Sequence, residues 1–432
     1  MTSLIIVLAI AITITLGYKT RVNPGFFAMC FAYIIGCFIL NLKATEIIGM
    51  WSLSMFFVIF SVSLFYNFAL VNGTLENISQ HLLYSCRKAP NLLPLVIYFA
   101  AVLIGGLGAG FFTVLVLLAP ITLILCEKTG MSRIVGAISL NYGALAGGNF
   151  MTSSSGVVFK SLIETAGFKE SGFVYITYIF IVTFIIPIFV ISFLTMFSKN
   201  LSKVGKNLEI EKPKAFDKKQ KTNLYLIVLM LAVILIPPVL HLIIPENAAI
   251  TFINSKIDVG LVSIVFTVVA LMLNLGDEKK VIATVPWSTI IMICGVGMLI
   301  QVAMKAGTIA LLANWIGGNI PGFAMPIALC VVAGIMALFS SPMGVVTPAL
   351  FPIVPSISAA TGINPAILFI CIIIGAQAST LSPFSSGGSL ILGSCTKEDE
   401  RAELFPKLLF FGVPLCLGVS IVVSIIISLV IK

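Results

Sequence analysis

Residues 143–156, with the sequence GALAGGNFMTSSSG, form a small and polar interruption inside a long apolar segment. Glycine and serine weaken the interior of a helix, and asparagine and serine prefer its caps. The pattern therefore predicts a helix that enters a bilayer, unwinds near its middle and restarts. Backbone N–H and C=O groups freed by such a break are tolerated at membrane depth only where protein or a ligand cavity covers them. The stretch is thus a candidate binding site.

The same pattern returns at residues 375–388, with the sequence GAQASTLSPFSSGG. A constant register pairs Pro120 with Pro352 and holds without a gap to Gly156 and Gly388. Weaker upstream matches, each in a slightly different register, pair Gly25 with Gly260, Asn41 with Asn274 and Gly73 with Gly307. Apolar composition does not explain matching Gly, Pro and Ser-Ser positions, so we predict two homologous halves.

The composition is that of a membrane protein. Hydrophobic residues make up 59% of the 432 residues and charged residues only 9%, whereas about a quarter of an average soluble domain is charged. We therefore predict an all-α polytopic protein in a lipid bilayer. Most basic residues behind the net charge of +9 lie in loops that flank apolar segments, so topology explains them better than nucleic-acid binding. The chain shows no nucleophile–base pattern, phosphate-binding loop or metal-ligand spacing, so we expect neither an enzyme nor a cofactor beyond a coupling ion.

Each half is predicted to hold apolar spans, a re-entrant hairpin and a broken transmembrane helix. The spans cover about residues 2–17, 25–42, 51–71, 133–166 and 173–197, and then 223–243, 259–275, 287–304, 365–395 and 407–431. The hairpins cover residues 92–126, turning at 105–110, and about 322–360, turning near 339–344.

These elements give the predicted organisation. The first repeat is residues 1–197, with scaffold helices at 1–91 and a hairpin and broken helix at 92–197. A basic linker follows at 198–222, and the second repeat is 223–432, divided at 320 and 321 in the same way.

The distribution of Lys and Arg favours a cytoplasmic linker. Each half has an odd number of spans, so the halves are predicted to have inverted topology, with both termini outside. The charged run at 397–401 is predicted to be a solvated cytoplasmic loop. We expect the inner (plasma) membrane of a bacterium or archaeon.

Restarting helices present free N–H groups and positive dipole ends, which suit anionic oxygens. Hydroxyl groups near these ends can add donors. The predicted substrate-binding residues are Gly110, Thr113, Asn149, Thr152, Ser153, Ser154, Ser155, Ser340, Ser341, Ser382, Ser385, Ser386 and Gly387.

Free carbonyls, hydroxyls and amides at the other ends of the breaks could hold Na⁺, a hard cation that prefers oxygen ligands. The predicted cation-binding residues are Gly105, Gly108, Ala146, Gly148, Asn149, Gln377, Ser379 and Thr380. The alternative for each single hydroxyl is a bond to a carbonyl one turn back, or simple packing. Lys160 either approaches an anionic substrate or neutralises Glu164 four residues on.

The breaks GGNFMTSSSG (147–156) and SPFSSGG (382–388) are similar to those of malonate/dicarboxylate (MatC-like) carriers and, more distantly, of divalent anion:sodium symporters. The chain resembles the ion transporter superfamily over nearly its whole length. The symporters' Ser-Asn-Thr signature at each hairpin tip is absent, since the tips read GAGFFT (108–113) and SSPMGV (340–345).

The resemblance implies a secondary transporter, usually a homodimer, whose hairpins and broken helices move like an elevator against a scaffold. We expect transport of small organic anions, di- or tricarboxylates, coupled to Na⁺ or H⁺. Two alternatives remain open. One is the large membrane subunit of a TRAP-type system, which needs a soluble receptor. The other is a membrane sensor or scaffold that does not transport.

Overall fold

The computed structural model describes residues 2–20, 22–85, 92–197, 212–244, 246–308, 311, 319–338, 340–395 and 397–430. Every regular element in these ranges is helical. The first half contains α1 (Thr2–Thr20), α2 (Pro24–Tyr33), α3 (Ala44–Gly49), α4 (Leu53–Val71), α5 (Thr74–Ser85), α6 (Leu93–Gly106), α7 (Phe111–Thr129), α8 (Arg133–Gly148), α9 (Ser154–Thr165) and α10 (Gly172–Phe197). The second contains α11 (Lys218–Ile243), α12 (Ala248–Lys256), α13 (Val259–Met272), α14 (Glu278–Ala283), α15 (Trp287–Lys305), α16 (Met325–Ala337), α17 (Thr347–Leu350), α18 (Val354–Thr361), α19 (Pro365–Ala378), α20 (Ser386–Gly393), α21 (Glu398–Lys407) and α22 (Val413–Val430). The predicted all-α class is confirmed.

Length and composition make this a membrane fold. Six of the described helical segments are long and apolar enough to span a bilayer, and a seventh span results if α12 and α13, bent by 72°, are taken together. One of the six is α7, with 19 residues, so the second arm of the first predicted hairpin is longer than its apolar sequence indicated. The chain is an integral membrane protein.

Both predicted breaks interrupt a helix. The first lies between the end of α8 and the start of α9, and the second lies between α19 and α20, with a short 3-10 turn at Ser379–Leu381. Each restart has a serine at the N-cap position, Ser153 for α9 and Ser385 for α20, and these two residues are paired in the repeat.

The repeat also appears as matched backbone conformations. The left-handed Gly130, which ends α7 with φ of 69°, pairs with Gly362, which ends α18 with φ of 72°. Among the described residues, Asn41 (φ 55°) and Asn274 (φ 52°) are the non-glycine residues with positive φ, and they too are a matched pair. Since non-glycine residues rarely adopt this conformation, the agreement supports a duplicated unit.

The halves exchange equivalent contacts. Helix α2 of the first half packs on α15 of the second, and α13, which matches α2, packs on α4. In the first pair the backbones approach so closely that a Cβ on Gly25 would collide with the Ile291 carbonyl oxygen. This reciprocal packing is what a pseudo-two-fold axis between the halves requires. At one edge, Lys305 Nζ lies 2.9 Å from Glu46 Oε2, and this hydrogen bond holds the pKa of Glu46 below its ordinary value.

The prediction for residues 397–401 was wrong, because most of this run is helical in α21. Two acidic residues of α21 bind Arg133 at the start of α8, Glu400 from this run at 2.8 Å and Glu403 just beyond it at 3.0 Å. A long-range ion pair thus supplies the partners that the local sequence does not show. Of the predicted linker, residues 198–211 lie outside the described ranges, as does Phe339 in the second predicted turn.

Candidate functional site

A cavity lies where both hairpin tips meet both broken helices. The first tip contributes Gly110 and the restart of the first break contributes Ser154 and Ser155, while the second half contributes Ser341 and Gln377. Its volume is about 60 Å³. Ile59 of α4, the N-cap Pro286 of α15 and Thr289 in the first turn of α15 also line it, so the cavity borders the predicted scaffold.

The first turns of α7 and α9 line this cavity, and so does a short π-helical turn at Pro342–Val346 in the second half. Helix α7 begins after the N-cap Gly110, α9 begins after Ser153, and a π-helical turn begins after Ser341. The first N–H groups of any helix have no partner within that helix, and each start carries a partial positive charge. The starts of α7 and α9 at one cavity therefore make a site for a negatively charged group. The π-helical turn adds little, because Pro342 has no N–H and the Gly344 N–H already donates to Ser341 Oγ at 3.2 Å.

The cavity has no charged wall. Its lining residues, all of them described, include no Asp, Glu, Lys, Arg or His. The sequence agrees, because residues 134–159 and 306–396 contain none of these five types. Any attraction for an anion at this site must therefore come from backbone N–H groups, hydroxyls, amides and co-bound cations.

A reciprocal amide pair joins the two breaks. Asn149 Nδ2 donates to Gln377 Oε1 at 3.1 Å, and Gln377 Nε2 donates to Asn149 Oδ1 at 2.9 Å. Asn149 Nδ2 also donates to the Thr183 hydroxyl at 3.0 Å. Both amides are buried. The structure thus brings together two residues that the sequence predicted separately, one in each half of the chain.

Asn141 was missed at the sequence level. Its Nδ2 donates to Thr380 Oγ1 at 2.8 Å, and Thr380 Oγ1 in turn donates to the Gln377 carbonyl oxygen at 2.7 Å. Because the Thr380 proton is committed to that carbonyl, the amide nitrogen of Asn141 must face Thr380. Asn141 Oδ1 is then left buried and without a hydrogen-bond partner. A lone asparagine in an apolar helix two turns before the first break was the available sequence indication.

Several predicted hydroxyls bond to backbone carbonyls. Ser153 Oγ donates to the Gly105 carbonyl at 2.6 Å and thereby ties the first break to the first hairpin. Ser385 Oγ donates to the Thr380 carbonyl at 3.2 Å, and Ser340 Oγ donates to Met336 one turn back at 2.6 Å. Ser382 Oγ accepts from the Phe384 N–H at 3.2 Å. These four residues hold the shape of the breaks and tips and do not line the cavity.

The predicted glycines allow close approach of neighbouring groups. A Cβ on Gly105 would lie 3.1 Å from the backbone of Gly147, where the first hairpin touches the first break. At Gly108, with φ of 91°, the place of a Cβ is taken by the Tyr66 ring. A Cβ on Gly387 would lie 2.5 Å from the Thr380 carbonyl oxygen. Packing therefore explains the need for glycine at these three positions.

The remaining predicted residues lie around the cavity without lining it, with one exception. Thr380 lines the cavity, whereas Thr113, Ala146, Gly148, Thr152 and Ser379 do not. The Ser379 hydroxyl is buried without a hydrogen-bond partner. The side chain of Ser386 lies outside the described part of the structure.

Lys160 lies on a different cavity. Its Nζ is 3.4 Å from Glu164 Oε1, and it shares a polar cavity of about 400 Å³ with Lys169, His241 and Thr152. The ion pair favours mutual neutralisation over direct contact with a ligand in the first cavity.

The fold is that of a membrane transporter. Residues 1–148 match the family described as the N-terminus of the dicarboxylate carrier protein MatC. The structure is similar to the crystal structure of the YdaH transporter of Alcanivorax borkumensis, with a TM-score of 0.65 over 89% of this chain and 87% of that one, at 16% sequence identity. No curated protein matches the chain in sequence. The all-α polytopic class and the predicted resemblance to MatC-like carriers are both confirmed.

Proposed function

We propose that the protein is a secondary transporter of small organic anions, and specifically of di- or tricarboxylates. The observation that carries this proposal is the convergence of the α7 and α9 starts on one cavity that residues of both halves line and that has no charged wall. Backbone donors of this kind bind carboxylate oxygens without a fixed positive charge. The match of residues 1–148 to a dicarboxylate carrier family supports the substrate class.

Na⁺ is the coupling ion that the site favours over H⁺. Proton coupling requires a group that titrates, and none lines the cavity. Oxygen atoms are present instead, on Gln377 and Thr380 and on Asn141, whose buried Oδ1 lacks a donor. A cation would satisfy that oxygen and offset the charge of the substrate, since Na⁺ binds hydroxyl, carbonyl and amide oxygens.

The wall of the cavity supports an elevator-type movement. Its tips and breaks belong to the predicted moving parts at 92–197 and 321–432, while Ile59, Pro286 and Thr289 belong to the predicted scaffold. A ligand at such a boundary would be carried past the scaffold if the moving parts shifted. The proposal includes a homodimer, and this part rests only on the resemblance to the transporter family.

Uptake into liposomes tests the proposal. Purified protein is reconstituted, and entry of labelled malonate and succinate is followed under an inward Na⁺ gradient, a K⁺ gradient and a pH gradient. We expect uptake driven by Na⁺ alone. Accumulation that follows the pH gradient equally well would overturn the coupling assignment. Strict dependence on an added soluble receptor would establish the TRAP-type alternative, and binding without uptake would point to a sensor.

A further inference from the structure

Much of the cavity wall is hydrocarbon. Phe111 and Phe112 stand at the first tip, with ring centroids 5.4 Å apart, and Val158 and Phe159 follow one turn into α9. Val158 and Phe159 are buried, at 0% and 1% exposure, and the Phe159 ring rests against Phe351 at 6.2 Å. These side chains line the cavity into which the helix starts also open, so they would face the body of an anion whose carboxylates the helix starts hold.

Such a wall discriminates between ligands by the polarity of the carbon skeleton that carries the carboxylates. A hydroxyl group on the carbon skeleton would leave water and meet aromatic and aliphatic carbon, which costs free energy unless a new hydrogen bond replaces the lost one. A methyl group at the same place gains from the same contact. The polar lining residues, among them Ser154, Ser341 and Gln377, sit with the helix starts and the breaks, where the carboxylates are expected.

We propose that the substrates are carboxylates with an apolar body, either unsubstituted or alkyl-substituted, and that hydroxylated carboxylates are poor ligands. This inference rests on the proposed function and narrows its substrate class. Di- and tricarboxylates with hydroxyl groups, such as malate, tartrate and citrate, then fall outside the range of good ligands. Residues Phe112, Val158 and Phe159 are the specificity-determining ones.

Matched ligand pairs test the inference, because methyl and hydroxyl groups are similar in size. Methylmalonate is compared with hydroxymalonate, and methylsuccinate with malate, by competition against labelled malonate or succinate in saturating Na⁺. We expect the methyl member of each pair to bind about 10- to 100-fold more tightly. Equal binding, or preference for the hydroxyl member, would overturn the inference and leave the proposed transport function intact. If none of the four anions binds, the proposed function itself fails.

A variant of the wall sharpens the test. Val158→Thr replaces one methyl group of the wall by a hydroxyl of similar size, so the preference for methylmalonate over hydroxymalonate should shrink about tenfold. Val158→Ile is the matched control and should keep the wild-type ratio. An unchanged ratio in Val158→Thr would show that Val158 does not contact the ligand. If Val158→Thr does not fold, the wild-type ratios decide the inference alone.

Discussion

The two breaks share a sequence pattern but contribute differently to the cavity. Both offer the end of the helix before the break, with Leu145 in the first and Gln377 in the second, and the second adds Thr380 from its 3-10 turn. The first break also offers its restart, with Ser154 and Ser155 on the cavity wall. A helix start presents donors and a helix end presents acceptors. One repeat unit, used twice, can thus provide an end for an anion and another for a cation.

Substitution of single glycines at the two breaks should have the largest effect on the stability of the protein. A Cβ on Gly387 would lie 2.5 Å from the Thr380 carbonyl and 2.8 Å from Asn141 Oδ1, whereas one on Gly148 would meet the Ser155 hydroxyl at 3.3 Å. Since a backbone carbonyl cannot rotate away, Gly387→Ala should lower stability by about 1–3 kcal/mol through overpacking. Gly148→Ala should unfold close to the wild-type temperature in detergent. The reverse order of melting temperatures would contradict the geometry of the second break.

The amide pair between the breaks should be the next most sensitive element. Gln377→Leu leaves the buried Asn149 amide without its reciprocal partner, which costs about 1–3 kcal/mol. We expect Na⁺-driven uptake to fall about tenfold or more. The exchanged pair Asn149→Gln with Gln377→Asn should recover part of this loss, because an amide again faces an amide. Wild-type uptake by Gln377→Leu would show that the breaks do not need this link.

Two serines, one beside each break, separate a ligand-facing break from a self-contained one. Ser155 lines the cavity, whereas the Ser385 hydroxyl donates a hydrogen bond to the carbonyl oxygen of Thr380. Loss of one hydroxyl donor to a ligand costs about 1 kcal/mol, or about fivefold in affinity. Ser155→Ala should therefore weaken succinate binding about fivefold, and Ser385→Ala should change it less than about twofold, both measured by isothermal titration. Equal losses would mean that both breaks contact the anion.

A substitution at the cation-facing end should change the Na⁺ dependence of uptake more than the affinity for the anion. Thr380→Val removes a hydroxyl from the 3-10 turn after α19 and should raise the Na⁺ concentration for half-maximal uptake about fivefold. At saturating Na⁺ the affinity for succinate should stay near the wild-type value. Ser155→Ala should show the opposite behaviour. If Thr380→Val weakened the anion at every Na⁺ concentration, the assignment of donors and acceptors to different ligands would be wrong.

The smallest effect concerns a charge that occurs beside one break alone. Lys160 and Glu164 align with Leu392 and Thr396 in the second half, so this ion pair has no repeated counterpart. Partly exposed pairs contribute little. Lys160→Gln should change succinate affinity by less than about twofold. A tenfold loss would place the ammonium group in the path of the anion.

Much of this architecture follows from local sequence. Gly, Pro and Ser-Ser positions that match in one register predict two halves with broken helices, because these residue types have strong backbone preferences. The same reasoning places Gly110, Ser154, Ser155, Ser341, Gln377 and Thr380 near a site, and these six residues line the cavity.

The remainder depends on contacts between distant parts of the chain. The charged run at 397–401 reads as a loop until Arg133 is seen to bind Glu400. The hydroxyls of Ser153, Ser340 and Ser385 could face a ligand or a carbonyl, and only the packed structure decides between them. Asn141 resembles any packed polar residue until its partner Thr380 is known.

The amide link between Asn149 and Gln377 breaks the symmetry of the repeat. In the register that pairs Pro120 with Pro352, Asn149 aligns with Leu381, and Gln377 aligns with Leu145. An equivalent link would join residues 145 and 381, and both of these are leucine. The junction between the two breaks is therefore tied by amides at one of its two equivalent positions and by hydrocarbon side chains at the other.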